Sequence, residues 1–208
     1  MNSSTQTRHF QGESGPIEAL VDAPVHEAVR GTAVIAHPHP LFGGTMQNKV
    51  VQTLARAFVQ CGWQAVRFNF RGVGASAGTY DEGRGETSDM LAVIRQVAAE
   101  GPLALAGFSF GAFVTSQVVQ ALGAERPPEK LVLVGTAASR FAVAPIAPDL
   151  HERTLVLHGE QDDTVPLSSV MDWARPQSLP VVVIPGVEHF FHGQLPLLKS
   201  LVARHLRA

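Results

Sequence analysis

Apolar residues follow two alternating rhythms along this chain. Residues 32–37 (TAVIAH) form a short, nearly unbroken apolar run, the pattern of a strand buried on both faces. Residues 17–23, 64–70, 103–108, 130–135, 154–158 and 180–184 read the same way. Between these runs the apolar positions take helical spacing. Residues 45–60 place Val50, Leu54, Phe58 and Val59 on one face, and residues 86–100 do so with Met90, Val93, Ile94 and Val97. Residues 111–122, 168–174 and 195–207 are the other expected helices. Gly62, Gly101-Pro102 and Gly123 supply stop signals, and the glycine-rich residues 71–85 read as a long loop. Strand–helix alternation predicts an α/β fold: a mostly parallel central sheet with helices on both faces and right-handed crossovers. Residues 1–208 suit one domain. In such sheets function gathers at the carboxyl ends of the strands.

The residues found there are chemically capable. Gly107-Phe108-Ser109-Phe110-Gly111 directly follows one strand and directly precedes a helix. A G-x-S-x-G sequence in that setting makes a turn so tight that the flanking positions must nearly lack side chains, and it projects the serine hydroxyl above the sheet. Elsewhere the same letters would mark only a glycine-rich turn. A serine hydroxyl needs a base, and in this fold class the chain order is serine, acid, histidine. Asp162 and Asp163 both follow the strand at 154–158; spacing alone leaves them open, and either could cap a helix instead. His189 follows the last strand immediately, with His192 as its rival; position and chain order favour His189.

A tetrahedral intermediate needs two backbone N–H donors. Phe110, the residue after the serine, is one. The other should come from residues 37–44 (HPHPLFGG), where Pro38 and Pro40 have no N–H. His39, Leu41 and Phe42 remain, with Leu41 preferred. Loop position puts Leu41, Phe42, Phe110, Phe141 and Phe190 around the substrate. His37 and His39 point to opposite sides of an extended backbone and have no acidic ligand nearby in sequence, so no metal site is expected.

Composition narrows the function class. Of 208 residues, 45% are hydrophobic and 16% charged, which favours an ordered globular protein. Sixteen basic against eighteen acidic residues give a net charge of −2, and there is no Lys/Arg run, so no nucleic-acid partner is expected. Cys61 is the single cysteine and cannot form an internal disulfide. Residues 1–15 are polar, without a signal-peptide core, and no apolar run reaches membrane-spanning length. The expectation is a cytoplasmic protein with a small-molecule substrate, no cofactor and no membrane association.

Taken together, residues 37–51 (HPHPLFGGTMQNKVV), 67–86 (RFNFRGVGASAGTYDEGRGE), 106–112 (AGFSFGA), 158–166 (HGEQDDTVP) and 185–195 (PGVEHFFHGQL) resemble the α/β-hydrolase superfamily. They are especially similar to its small bacterial hydrolases related to dienelactone-hydrolase-like and serine-aminopeptidase-like proteins. The resemblance spans nearly the whole chain. It implies an α/β-hydrolase fold, with Ser109 as nucleophile, Asp162 rather than Asp163 as acid, and His189 as base. It aligns Leu41 with the oxyanion position, although Pro40 replaces the usual glycine. The short interval at residues 136–153 leaves no room for a cap domain. The implied activity is a serine hydrolase, foremost a carboxylesterase for short-acyl esters, with peptide or amide cleavage as the alternative. Two other readings stand behind it. Gly72-Val73-Gly74-Ala75-Ser76-Ala77 matches G-x-G-x-x-A, a nucleotide-binding pattern, but no helix starts inside it. A non-catalytic binding module on the same scaffold is the other.

Overall fold

The computed structural model describes residues 5–25 and 28–208; the first four residues of the polar N-terminal stretch lie outside them. The described strands form one sheet. β1 (Gln6–Gly12) and β2 (Gly15–Asp22) make an antiparallel hairpin. β3 (Gly31–Ala36), β4 (Trp63–Phe68), β5 (Leu103–Phe108), β6 (Lys130–Val134), β7 (Thr154–Gly159) and β8 (Val181–Ile184) are parallel to one another. The order across the sheet is β1-β2-β4-β3-β5-β6-β7-β8, with β2 antiparallel to β4.

Each parallel strand feeds two cores because its side chains alternate faces. On β5, Leu105 joins one apolar cluster while Ala104, Ala106 and Phe108 join the other. α1 (Lys49–Gln60) and α5 (Leu195–Arg207) cover the second face through Leu54, Phe58, Leu198 and Val202. α2 (Arg84–Val97), α3 (Phe110–Leu122) and α4 (Leu167–Ala174) cover the first through Met90, Val93, Val118 and Val170. Full burial of one such large side chain contributes roughly 1.5–3 kcal/mol. No helix among the described residues is long and apolar enough to cross a membrane.

Among the local differences from the sequence expectation, three bear on the architecture. β1 was not expected; its residues are mostly exposed, so its strand character comes from pairing with β2 and leaves no apolar trace. α1 starts at Lys49 rather than at position 45, because Asn48 caps it by accepting the Val50 N–H at 2.9 Å. α2 begins at Arg84 and ends at Val97, where residues 86–100 were expected. Between β6 and β7 runs only a short strap with one 3-10 turn, Pro148–Arg153. The upper side of the sheet, where β3, β5, β7 and β8 end, is therefore left without a cap.

Candidate active site

β5 ends at Phe108, and the chain turns into α3 within one residue. Ser109 takes φ 57° and ψ −116°, a backbone conformation costly for a residue with a side chain. It is held there on both sides. The Ser109 N–H donates to the Val134 carbonyl of β6 at 2.8 Å, and its own carbonyl receives the first N–H groups of α3. The flanking glycines are required by close approach. A Cβ on Gly107 would sit 2.3 Å from the Gly111 carbonyl oxygen, and one on Gly111 would sit 2.4 Å from that of Ala36.

Two other strand ends bring the partners. Asp162 lies on the loop after β7, and His189 lies after β8. His189 Nδ1 is 2.6 Å from Asp162 Oδ2, and His189 Nε2 is 3.1 Å from Ser109 Oγ. A carboxylate accepts only, so Nδ1 carries the proton. Nε2 then presents its lone pair to the serine hydroxyl. All three side chains are buried, His189 to 1% exposure. Asp162 has both oxygens engaged: Oδ1 accepts from the N–H groups of Thr164 at 3.0 Å and Val165 at 2.7 Å. This carboxylate is thus turn cap and histidine partner together. Among the described residues, Asp163 accepts only from the Thr164 hydroxyl. His192 is held at the surface by Glu188.

A fourth residue, His158 at the end of β7, supports the carboxylate and was not singled out from sequence. Its Nε2 donates to the Val165 carbonyl at 2.9 Å and lies 3.5 Å from Asp162 Oδ2. Burial lowers its pKa, and among the described residues its buried Nδ1 has no partner, as suits a neutral ring. The only advance signal was a histidine ending a buried strand four residues before the aspartate.

The loop after β3 is built around His37. Its Nδ1–H donates to the Pro38 carbonyl and its Nε2 accepts the Phe70 N–H at 3.0 Å, joining the ends of β3 and β4. Both ring nitrogens are thereby engaged. Burial pushes its pKa down from 6.5 to about 4, partly offset by the bond to Pro38. Between those values the unfolded chain binds a proton that the folded one does not, so stability falls as pH drops from 6.5 toward about 4. The full loss from this one residue is roughly 3 kcal/mol. Denaturant titrations between pH 7 and pH 4 should show the fall, and His37→Gln should flatten it. An equally steep profile in the variant would assign the effect to other groups.

The loop also corrects the oxyanion expectation. The Leu41 N–H is bonded to His39 Nδ1 at 3.2 Å, and its side chain is 66% exposed. The Phe42 N–H is bonded to the His39 carbonyl at 3.1 Å. The N–H groups of His39 and Phe110 have no acceptor among the described residues. The free donors are therefore His39 and Phe110, not Leu41.

A pocket of about 210 Å³ opens over Ser109. Its walls include His39, Phe42, Phe110 and Phe141, with Arg140 and Thr164 among the polar groups. Phe42 and Phe141 line this pocket. Phe190 does not; its ring lies 5.0 Å from that of His189 and 6.0 Å from that of Phe108, outside the pocket lining. Arg140 was missed, for it sits on the irregular strap after β6 with no motif around it.

The segment around Gly72–Ala77 is a structural turn. Ser76 Oγ donates to the Asn69 carbonyl and accepts the Glu18 N–H, and α2 starts only at Arg84. Among the described residues no helix starts inside this glycine run, whereas the nucleotide-binding pattern opens a helix there.

Residues 28–151 match the family described as serine aminopeptidase, S33. An uncharacterized protein of Rickettsia prowazekii is 31% identical over 206 residues, covering 88% of this chain and 81% of that one. A Xanthomonas campestris α/β serine hydrolase, described as having no lid, superposes with a TM-score of 0.89 at 35% identity, over 100% of this chain and 95% of its own. An α/β serine hydrolase homologue from Coxiella burnetii gives 0.81 at 38% identity, over 97% of both chains. The chain belongs to the serine aminopeptidase (S33) family of the α/β-hydrolase superfamily.

Proposed function

We propose that the protein is a serine carboxylesterase for small esters, working through an acyl-enzyme. The observation that carries this reading is the unbroken relay Asp162–His189–Ser109, with Nδ1 on the carboxylate and Nε2 on the hydroxyl. His189 takes the Ser109 proton as Oγ bonds to the substrate carbonyl carbon. The oxyanion receives the His39 and Phe110 N–H groups. The intermediate then collapses, the C–O bond to the alcohol breaks, and the alkoxide takes the proton from His189. Water attacks the acyl-enzyme along the same path, passing its proton to His189, and the acid leaves as Ser109 is restored. Asp162 stays ionised and fixes the imidazole throughout.

Pocket size supports short substrates: about 210 Å³ lies below the usual range of roughly 300–1,000 Å³ for drug-sized ligands. The pocket's charge favours esters over peptides with a free amino end. Binding an ammonium calls for a carboxylate, and none lines the pocket. Glu160 accepts from the Gly186 N–H, Glu188 from Phe190 and His192, and Asp163 from Thr164.

A fluorophosphonate probe tests nucleophile, activation and access together. The wild type should be labelled on the peptide carrying Ser109, and His189→Ala should label far more slowly. Labelling of another residue, or none on folded protein, would end the reading.

A further inference from the structure

Beside the pocket over Ser109 lies a groove of about 760 Å³, and the two share Arg140 and Phe141 in their linings. Their common wall is aromatic. Phe141 stacks on Phe113 at 4.7 Å with 13° between the planes, and it meets Phe110 edge-on at 5.2 Å. The strap carrying Arg140 is tied in place. The N–H groups of Arg140 and Phe141 both donate to the Ala137 carbonyl, and Gln117 of α3 donates to the Ala142 carbonyl at 2.7 Å.

Arg140 is the one fully charged side chain in the pocket lining. Among the described residues its guanidinium has no carboxylate within ion-pair distance and no hydrogen-bond acceptor. Arg84, the other cation of the groove, is already paired with Asp81 and Glu82. The nearest pocket imidazole adds no charge: burial, and then the Arg140 cation, lower the His39 pKa. A cation with five free donors therefore stands in the lining of a pocket whose walls are mainly aromatic and aliphatic.

We propose that the substrate is an anionic ester, whose carboxylate is held by Arg140 while its ester carbonyl sits at Ser109. The aromatic wall covers the apolar chain between the two groups. The site then selects carboxylate-bearing esters and disfavours ammonium-bearing ones. This rests on Ser109 being the nucleophile.

The test compares matched pairs. p-Nitrophenyl hydrogen adipate against p-nitrophenyl hexanoate places the charge on the acyl side. 4-Acetoxybenzoate against its methyl ester places it on the alcohol side. At low ionic strength the wild type should prefer the anion in at least one pair by about fivefold to tenfold in kcat/KM, the scale of an exposed charge-assisted contact. Arg140→Gln should abolish that preference, mainly by raising KM for the anionic ester. Arg140→Lys should keep part of it, and 0.5 M KCl should weaken it. Because Arg140 is exposed, these variants should fold. Active enzyme with no preference in either pair, or a preference that survives Arg140→Gln, overturns the proposal and leaves the esterase reading intact. Calorimetric titration of Ser109→Ala with monomethyl adipate separates the two claims. Binding lost on adding Arg140→Gln supports the anion site even if no ester is turned over. Absence of any Arg140-dependent binding counts against it.

Discussion

Ser109→Ala should lower ester turnover by about 10⁶-fold while leaving the melting temperature close to that of the wild type. The size of the effect follows from the geometry. Among the described residues the ring of His189 bonds no other hydroxyl or thiol, so without Ser109 its 2.6 Å contact with Asp162 has no side-chain nucleophile to activate. What survives is catalysis by the backbone donors and by binding. Folding is spared because alanine occupies the same strained backbone position without new contacts, and Gly107 and Gly111 still allow the close approach of backbone around the turn. Steady-state kinetics with purified variant, beside a thermal melt, reads both quantities. Turnover kept within about tenfold of wild type would remove this hydroxyl from the chemistry.

The largest stability effect is expected from Asp89→Ala. Arg71, at the start of the loop after β4, is gripped by Asp89 of α2 through two bonds, Nε to Oδ2 at 2.8 Å and Nη2 to Oδ1 at 2.7 Å. Both side chains are nearly sealed from water, at 9% and 2% exposure. Removing the carboxylate leaves a buried cation without its hydrogen-bonded partner, with only the more distant Glu86 and Asp81 charges nearby, which costs roughly 3–5 kcal/mol. That is a large share of the roughly 5–15 kcal/mol that holds an ordinary domain together. A urea titration should show a much lower midpoint with similar slope. The double replacement Arg71→Met with Asp89→Leu should recover most of the loss, since an apolar pair needs no compensation. An unchanged midpoint for Asp89→Ala alone would show that water reaches the guanidinium.

The parts of the fold legible from sequence were those whose burial is two-sided. β5 and α5 fall where the apolar pattern puts them, because each position is set by packing against the sheet or its covering helices. β1 left no such trace, for its ladder bonds involve backbone alone. The site divides the same way. Ser109, Asp162 and His189 are brought together because each follows the end of a parallel strand, and the strand positions are readable. The amide donors were not. Whether a given N–H is free depends on a local bond, and Leu41 lost its availability to the ring of His39, two residues before it. Phe190 was misplaced because a loop residue beside the histidine can turn to either side of it. Arg140 was invisible because its importance lies in an absent partner, which no residue pattern records.

The sheet has two unlike borders. β1 faces solvent with Gln6, Arg8, His9 and Gln11, side chains that discourage a foreign strand from docking. β8 is all aliphatic, Val181–Ile184, and only four residues long. Its brevity is therefore its protection: a neighbour could gain few ladder bonds there. Lengthening that margin by even a few apolar residues would turn a harmless end of the molecule into a seed for fibrous association, whereas the opposite margin tolerates extension.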